Sequence, residues 1–275
     1  MILDVARILR STFLATVELH RAVGSTSDRA KSCAADPNLK LPLLVLAERQ
    51  TAGRGRGSHR WWTGQGALAC SLLLETPRRL LLQTPGTLLS GPQNFPAAPH
   101  AHAGPVAPLV SLAAALAVME TVRPLLGHRM VGIHWPNDLM VDGAKLAGIL
   151  VETLAGKLVI GIGVNTNNRL SEAPPELHGT AATLFDLTGR PHDHTEILIA
   201  LLDHLHRLLQ QLAQSPERIA ALANQACLQH GQTLRVQLGN SVILGRCEGI
   251  ASDGALVLET SEGLRRLYSG VLIKP

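Results

Sequence analysis

The sequence predicts an α+β fold in which a mixed, mainly antiparallel sheet is packed with helices and is followed by a small C-terminal β-barrel. Three observations lead to this prediction. Apolar runs in the middle of the chain follow one another through tight turns such as Asp142-Gly143, a pattern typical of antiparallel hairpins. Strongly helical segments flank these runs. Residues 226–275 consist of short β-type runs separated by turn pairs, which is typical of a small barrel.

The composition is that of an ordinary globular protein. Hydrophobic types make up 46% of the 275 residues and charged types 17%, so a sizeable core is expected and wholesale disorder is excluded. A net charge of +4 is too small, taken alone, to indicate a nucleic-acid coat. The four cysteines are isolated, which argues against a zinc site or a disulfide framework and favours reduced thiols in the cytoplasm.

No membrane partner is expected. The longest apolar run, 109–119, is shorter than the roughly 20 residues that a membrane span requires. Charged residues inside the first apolar stretch, among them Asp4 and Arg7, argue against a secretory leader.

The first part of the chain contains two apolar runs, 43–48 and 67–75, which predict buried strands. Residues 50–65 between them are rich in Gly and Arg and have no apolar periodicity, so they form a loop. Seven of the 16 prolines lie in the segment 76–108. Because such a density forbids a continuous helix or central strand, we expect a long surface insertion there.

The segment 109–122 predicts a core helix, because it is apolar nearly all round and is followed by Pro124. Further helices are expected at 194–212 and 216–225, and we place the helices on one side of the sheet. The remaining β-type runs are 130–135, 139–141, 145–152, 157–164, 233–238, 242–250, 255–258 and 264–273. The change of character after residue 225 predicts two domains, 1–225 and 226–275.

A glycine- and arginine-rich loop, RQTAGRGRGSHRWW, is the first cluster that carries chemistry. Arg54 and Arg56 alternate with glycines, and arginine forks match phosphate or carboxylate oxygens bidentately. The glycines make ordering costly, so the loop is expected to order around an anion. A solvated turn and a short Arg-Gly tract that binds RNA are the alternatives.

The second cluster is the string HWPNDLMVDGAKLAGILVE. Lys145 is one of only five lysines against 20 arginines, and it opens an apolar strand. A compact ammonium there suits a carboxylate or a phosphate, whereas a solvated hairpin tip is the alternative. Asp138 follows Pro136 and Asn137 at a strand end, where it can hold Mg²⁺ through water or form an Asx turn.

Two further motifs are weaker. In GIGVN, Gly161 and Gly163 remove side chains from one face of a strand, which lets a flat ligand or another backbone approach. GSTSD is a hydroxyl-rich turn that by itself favours the N-cap of a helix.

Taken together, GSTSD, QTAGRGRGSHRW, HWPNDLMVDGAKLAGILVE and GIGVN resemble, in order and spacing, the biotin–[acetyl-CoA-carboxylase] ligases of the biotin–protein ligase family. The tail 231–275 is similar to that family's C-terminal β-barrel. The resemblance implies that residues 1–225 bind biotin and ATP. It also implies a ligase that forms biotinyl-5′-AMP with ATP and Mg²⁺ and then biotinylates a lysine of a biotin carboxyl carrier protein or domain. The regulatory members of the family carry an N-terminal helix-turn-helix domain that binds DNA. Only about 20 residues precede the Ser25 segment here, which is too few for such a domain, so no DNA partner is expected.

The resemblance also implies roles for individual residues. The catalytic residues are Lys145, Arg56 and Arg54. Biotin is bound by Ser25, Thr26, Ser27, Gln50, Arg54, Gly55, Arg56, Trp61 and Lys145. ATP is bound by Arg54, Arg56, Asn137, Asp138, Lys145 and Asn165, with Asp138 also near Mg²⁺.

This chain departs from the family pattern in several places: Ser27 replaces the usual Asn, and His134 replaces the usual Lys. Further basic residues often follow the position of Arg56 in the family, where this chain has Gly57, Ser58 and His59. A lipoate or octanoate ligase of related fold is one alternative function, although no Arg-Arg-x-x-Gly-Gly-Gly-like stretch is present. A non-catalytic Arg-Gly module that binds nucleic acid is another, but it leaves Lys145 unexplained. A homodimer is compatible with an exposed strand edge beside the Asp142-Gly143 hairpin.

Overall fold

The computed structural model describes residues 3–76, 106–154 and 156–273, so the predicted proline-rich insertion lies almost wholly outside the described residues. The helices are α1 Val5–Ser11, α2 Thr26–Cys33, α3 Val106–Val122, α4 Leu184–Thr188, α5 His194–Gln214 and α6 Pro216–Gln225. The strands are β1 Thr16–His20, β2 Leu43–Ala47, β3 Leu68–Glu75, β4 Val131–His134, β5 Asp138–Val141, β6 Ala144–Leu154, β7 Lys157–Val164, β8 Thr233–Leu238, β9 Ser241–Ile250, β10 Leu256–Thr260, β11 Gly263–Leu267 and β12 Val271–Ile273.

A seven-stranded sheet with the order β1-β2-β3-β7-β6-β5-β4 carries the larger part of the chain. Only β1 and β2 are parallel, which confirms the mixed, mainly antiparallel sheet. The predicted hairpin joins β5 to β6 through Asp142 and Gly143, whose φ angles of 48° and 82° both lie in the left-handed region. That pair of angles gives a tight hairpin turn with the right-handed twist of the strands.

Helix α3 lies in the core between the sheet and the helices α5 and α6. Its residues Leu112, Ala113 and Leu116 are buried, as its uniformly apolar sequence requires. The segment Ala107–Leu125 is long and apolar enough to cross a membrane by length and composition, but 72% of its most apolar window is buried inside the protein. It is therefore a core helix.

Helix α2 packs on the opposite face of the sheet, so the prediction of helices on one side is wrong. Ala30 and Cys33 of this helix contact Leu43, Val45 and Val159. The strands β2 and β7 are apolar on both faces, and the second face needs a cover that α2 provides.

The C-terminal strands form an open sheet with the order β11-β10-β9-β8-β12, which corrects the predicted barrel. The run expected at 264–273 breaks into β11 and β12. Strand β12 has three residues and pairs with β8, so the described strands β11 and β12 remain at opposite edges. The inner face, with Val236, Cys247 and Leu258, is buried.

The two sheets meet around the buried side chain of Trp135. Its indole Nε1–H donates to Gly254 O at 3.1 Å, and its backbone N–H and C=O pair with the Gln229 amide at 3.1 and 3.2 Å. Nearby, Ile133 N donates to Ala226 O at 2.8 Å, and Leu228 N donates to Ile133 O at 3.0 Å. The edge of β4 is therefore not free at Ile133, and homodimerisation remains a prediction.

We expect Trp135→Phe to weaken the contact between the two sheets, because it leaves the buried Gly254 carbonyl without its donor. The free energy of unfolding in urea should fall by about 1–3 kcal/mol. Met130→Ala is the matched control, because Met130, which directly precedes β4, is 64% exposed and its loss should change stability by less than about 0.5 kcal/mol. Equal stabilities of Trp135→Phe and the parent protein would contradict this account.

Candidate active site

A cavity of about 410 Å³ lies on the α2 side of the large sheet, within the range of small-molecule sites. The glycine- and arginine-rich loop, the segment 134–138 and the residues 270–272 form its walls. Among the described residues that line it are four cationic side chains and one carboxylate, namely Arg54, Arg56, Arg60, Lys145 and Asp138. This excess of positive charge suits an anionic ligand.

Glycines on two neighbouring strands make room for the indole of Trp61. Gly148 and Gly163 are partners across β6 and β7. A Cβ at Gly148 would lie 3.1 Å from the Trp61 ring, and a Cβ at Gly163 would overlap it. Trp61 Nε1 is buried and has no hydrogen-bond partner among the described residues, so it is a donor available to a ligand.

Hydroxyl and amide groups form a second part of the wall. Thr26 N donates to Gln50 Oε1 at 2.8 Å, and Gln50 Nε2 donates to Thr63 Oγ1 at 3.0 Å. Ser27 Oγ lies 3.0 Å from the buried Ser71 Oγ. Helix α2 begins at this point, where the Ser25 side chain accepts from Asp28 N, and so brings the hydroxyls of its first turn to the cavity.

Arg54 is held by two carboxylates. Its guanidinium donates to Asp28 Oδ1 at 2.8 Å and to Glu152 at 2.9 and 3.0 Å. Although burial acts against it, these hydrogen bonds and charges hold the pKa of Arg54 above its ordinary value. Lys31 Nζ lies 3.0 Å from each of the same carboxylates. The four side chains form an ion-pair network that ties the loop to α2 and β6.

Arg56 reaches across the cavity to the C-terminal sheet. Its guanidinium donates to Gly270 O and, at 3.4 Å, to Asn137 Oδ1. Burial lowers the pKa of Arg56, and the Asp138 carboxylate opposes this effect. No carboxylate in the described structure forms a salt bridge with Arg56, so its guanidinium can pair with an anionic ligand.

Lys145 and Asp138, which both line the cavity, form an ion pair at 2.7 Å. The Lys145 ammonium also lies 5.7 Å from the centre of the Trp61 ring. The second oxygen of Asp138, Oδ1, is buried and has no hydrogen-bond partner among the described residues. Burial lowers the pKa of His134 beside this pair, an effect that Asp138 opposes and Lys145 reinforces. Burial therefore favours the uncharged form of the His134 imidazole.

The structure brings ten of the twelve predicted site residues to the cavity lining: Thr26, Ser27, Gln50, Arg54, Gly55, Arg56, Trp61, Asn137, Asp138 and Lys145. Ser25 and Asn165 are buried and lie outside that lining. Ser25 caps α2, and Asn165 Nδ2 donates at 3.5 Å to the Lys145 carbonyl. Both therefore position residues that line the cavity.

Sequence reasoning assigned no role to four contributors: Asp28, Glu152, Ser71 and Gly270. Asp28 and Glu152 stand inside the quoted strings GSTSD and KLAGILVE, so their charges were a usable signal. Ser71 lies in the apolar run ALACSLLLE, where one hydroxyl gives little indication of a site. Gly270 reaches the cavity only through the packing of the C-terminal sheet.

A magnesium ion bound with phosphate fits the donors present at Asp138. Within the described ranges, no group of three or more His, Cys, Asp and Glu side chains is arranged to hold a metal ion. The buried and unpartnered Asp138 Oδ1 is a carboxylate oxygen, the donor that Mg²⁺ prefers. Mg²⁺ commonly uses one or two carboxylates and completes its shell with water and phosphate oxygens.

Comparison with known proteins gives matches over most of the chain. Residues 20–91 and 98–167 match the Biotin/lipoate A/B protein ligase family, and residues 230–273 match the Biotin protein ligase C terminal domain. A Biotin--[acetyl-CoA-carboxylase] ligase of Paracoccus denitrificans is 30% identical over 247 residues, which cover 86% of this chain and 92% of that protein.

One further relative and one solved structure are also similar to this chain over most of its length. The Bifunctional ligase/repressor BirA of Bacillus subtilis is 30% identical over 256 residues, covering 91% of this chain and 71% of that protein. The solved structure of a biotin protein ligase from Aquifex aeolicus in complex with biotin and ATP superimposes with a TM-score of 0.75 at 26% identity, covering 94% of this chain and 98% of that one.

We expect Gly163→Ala to expel the Trp61 ring from its place on the sheet, because the added Cβ overlaps the indole. Tryptophan emission should shift to the red and become more accessible to acrylamide. The same substitution in a Trp61→Phe background should give no shift. Gly24→Ala is the matched control, because a Cβ there has no atom within 4 Å. An unshifted spectrum for Gly163→Ala would show that this glycine does not seat Trp61.

Proposed function

The chain belongs to the biotin/lipoate A/B protein ligase family, and from this premise we propose that it is an ATP-dependent biotin–protein ligase. It activates biotin as biotinyl-5′-AMP and transfers the biotinyl group to a lysine of a biotin carboxyl carrier protein of acetyl-CoA carboxylase. One observation supports this function above the others: a single cavity contains cations for two anionic reactants and hydroxyl and amide groups for a neutral polar ring.

In the first step, the biotin carboxylate attacks the α-phosphorus of ATP. The new bond joins a carboxylate oxygen to this phosphorus, and pyrophosphate leaves with the electron pair of the broken P–O bond. Two anions must approach each other, so positive charge has to be fixed where negative charge accumulates. We assign this role to Lys145 and Arg56, and the ion pair with Asp138 holds Lys145 in place before the reactants arrive.

ATP is expected to bind with Mg²⁺, which neutralises phosphate charge when it is bound. We propose that Asp138 contributes its free Oδ1 to the shell of this ion. Asn137 is oriented beside it, because its Nδ2 donates to Ile149 O at 2.8 Å. Asn165 has an indirect role through the Lys145 backbone.

In the second step, the lysine amine of the carrier attacks the acyl carbon of biotinyl-AMP. An amide bond forms as the bond between the acyl carbon and the phosphate oxygen breaks. AMP leaves with the electron pair of that bond, and the proton of the amine passes to solvent. The mixed anhydride hydrolyses readily, so water must be excluded until the carrier arrives. Arg56 supports this requirement, because it connects the loop over the cavity to Gly270 in the C-terminal sheet.

The partner protein and the cellular location are also proposed. Relatives named biotin–[acetyl-CoA-carboxylase] ligases support a carrier protein as partner. The four cysteines are free and buried, which agrees with reduced thiols and a cytoplasmic enzyme. The absence of DNA and membrane partners, the homodimer, and the division into domains at residue 225 remain predictions.

We expect the purified protein with ATP and Mg²⁺ to release pyrophosphate when biotin is added, and to add one biotinyl group to a carboxyl carrier domain. Lipoate in the same assay should give neither signal. Pyrophosphate release and the carrier mass are the two readouts. Pyrophosphate release with lipoate alone would replace this proposal by the lipoate-ligase alternative, and ATP-independent retention of RNA would favour the Arg-Gly module.

We expect Lys145→Ala to reduce biotin-dependent pyrophosphate exchange by about 100-fold or more, the usual effect of removing a charge that stabilises the transition state. Lys157→Ala is the matched control. Lys157 starts β7, donates to Ala34 O at 3.2 Å, and lies outside the cavity, so its loss should leave the exchange rate unchanged. An exchange rate in Lys145→Ala equal to that of the control would refute the role of Lys145.

A further inference from the structure

The hydrogen bonds around Gln50 have a direction that is fixed at one end. The backbone N–H of Thr26 donates to Gln50 Oε1 at 2.8 Å, so the oxygen of this amide faces Thr26. An amide oxygen can only accept. The Thr26 hydroxyl, 3.1 Å from the same oxygen, must therefore donate its hydrogen to Gln50.

The donor in each of the next two hydrogen bonds, between neighbouring hydroxyls, is then determined as well. Thr26 has given its single hydroxyl hydrogen to Gln50, so Ser71 Oγ, at 2.8 Å from Thr26 Oγ1, must donate to Thr26. The only hydroxyl hydrogen of Ser71 is then used as well. Ser27 Oγ, at 3.0 Å from Ser71 Oγ, must therefore donate to Ser71.

This order determines what the cavity offers to a ligand. The hydroxyls of Ser27 and Thr26 line the cavity with their hydrogens committed, so they present oxygen lone pairs only. Gln50 Nε2 gives one hydrogen to Thr63 Oγ1 at 3.0 Å and retains a second. The site therefore combines hydroxyl acceptors with an amide donor.

We propose that Ser71 is a positioning residue that makes the Ser27 hydroxyl an acceptor and thereby selects rings in which N–H donors flank a carbonyl. Ser71 is fully buried and does not line the cavity, so it acts through Ser27. A cyclic urea, as in biotin, has the selected pattern. The dithiolane ring of lipoate has neither the donors nor the acceptor. This inference rests on the proposed function and specifies its substrate selectivity.

Gly161 gives the two serines the space that this arrangement needs. A Cβ at Gly161 would lie 2.6 Å from Ser27 Oγ and 3.5 Å from Ser71 Oγ. The strand β7 thus leaves room for a hydroxyl pair against its backbone. Ser27 is shorter than the Asn that is usual in the family. The Ser71 hydroxyl behind it fixes the orientation of the Ser27 hydroxyl, which explains how a serine can act as the acceptor at this position.

The test is the kinetics of Ser71→Ala in biotin-dependent pyrophosphate exchange. KM for biotin should rise about tenfold, because the Ser27 hydroxyl is no longer held as an acceptor. KM for ATP and kcat should not change. Desthiobiotin keeps the cyclic urea and lacks the sulfur, so its KM should rise by the same factor. Thr121→Val is the matched control, since it removes a buried hydroxyl of α3 that bonds to Ala117 O and His204, away from the cavity.

A double variant tests whether Ser71 acts through Ser27. Ser71→Ala should raise the KM of a Ser27→Ala enzyme by much less than tenfold, because the Ser27 hydroxyl is already absent and only the hydrogen bond from Ser71 to Thr26 is left to lose. Should Ser71→Ala fail to fold, Ser71→Cys keeps the side-chain size with a weak S–H donor and should raise the KM for biotin in the same direction.

Three results would overturn the inference: an unchanged KM for biotin, an equal rise in KM for ATP, or a full separate penalty in the double variant. A parent enzyme without biotin-dependent exchange would instead refute the proposed function itself.

Discussion

The ion pair between Lys145 and Asp138 is the interaction on which the site depends. Four cationic side chains line the cavity, and they repel one another unless counter-charges lie close to them. Asp138 supplies that counter-charge to Lys145 at 2.7 Å, as Asp28 and Glu152 do for Arg54. Two opposite charges 4 Å apart attract by about 4 kcal/mol at the effective dielectric of a protein surface. Lys145 and Arg54 are thus held in place before any anion arrives.

The second constraint is steric, and it comes from the sheet. Gly148, Gly161 and Gly163 leave one region of β6 and β7 without side chains, and this bare region seats the Trp61 ring and the hydroxyl pair of Ser27 and Ser71. The opposite face of the same strands is packed by the core, with Ile160 and Ile162 buried. One sheet therefore provides a rigid core on one face and a shaped floor for a ligand on the other.

Much of this arrangement could be predicted from the sequence, because the signals were local. The turn Asp142-Gly143, the apolar helix α3 and the hydroxyl cap of α2 depend on residues that are neighbours in the chain. The prediction of a barrel was wrong because the run 264–273 was treated as one strand. The sequence of that run does not reveal that the strand ends before Gly270 and that the following residues pair with β8. The same non-local packing explains why the contact from Arg56 to Gly270 was not predicted.

A crystal structure of the protein with a non-hydrolysable analogue of biotinyl-AMP would test the central claim most directly. The account predicts that Lys145 Nζ and the Arg56 guanidinium lie within hydrogen-bonding distance of the phosphate oxygens, with the ureido ring against Ser27, Thr26 and Gln50. An adenylate bound with its phosphate away from both cations, or with its ring outside the hydroxyl cluster, would contradict it.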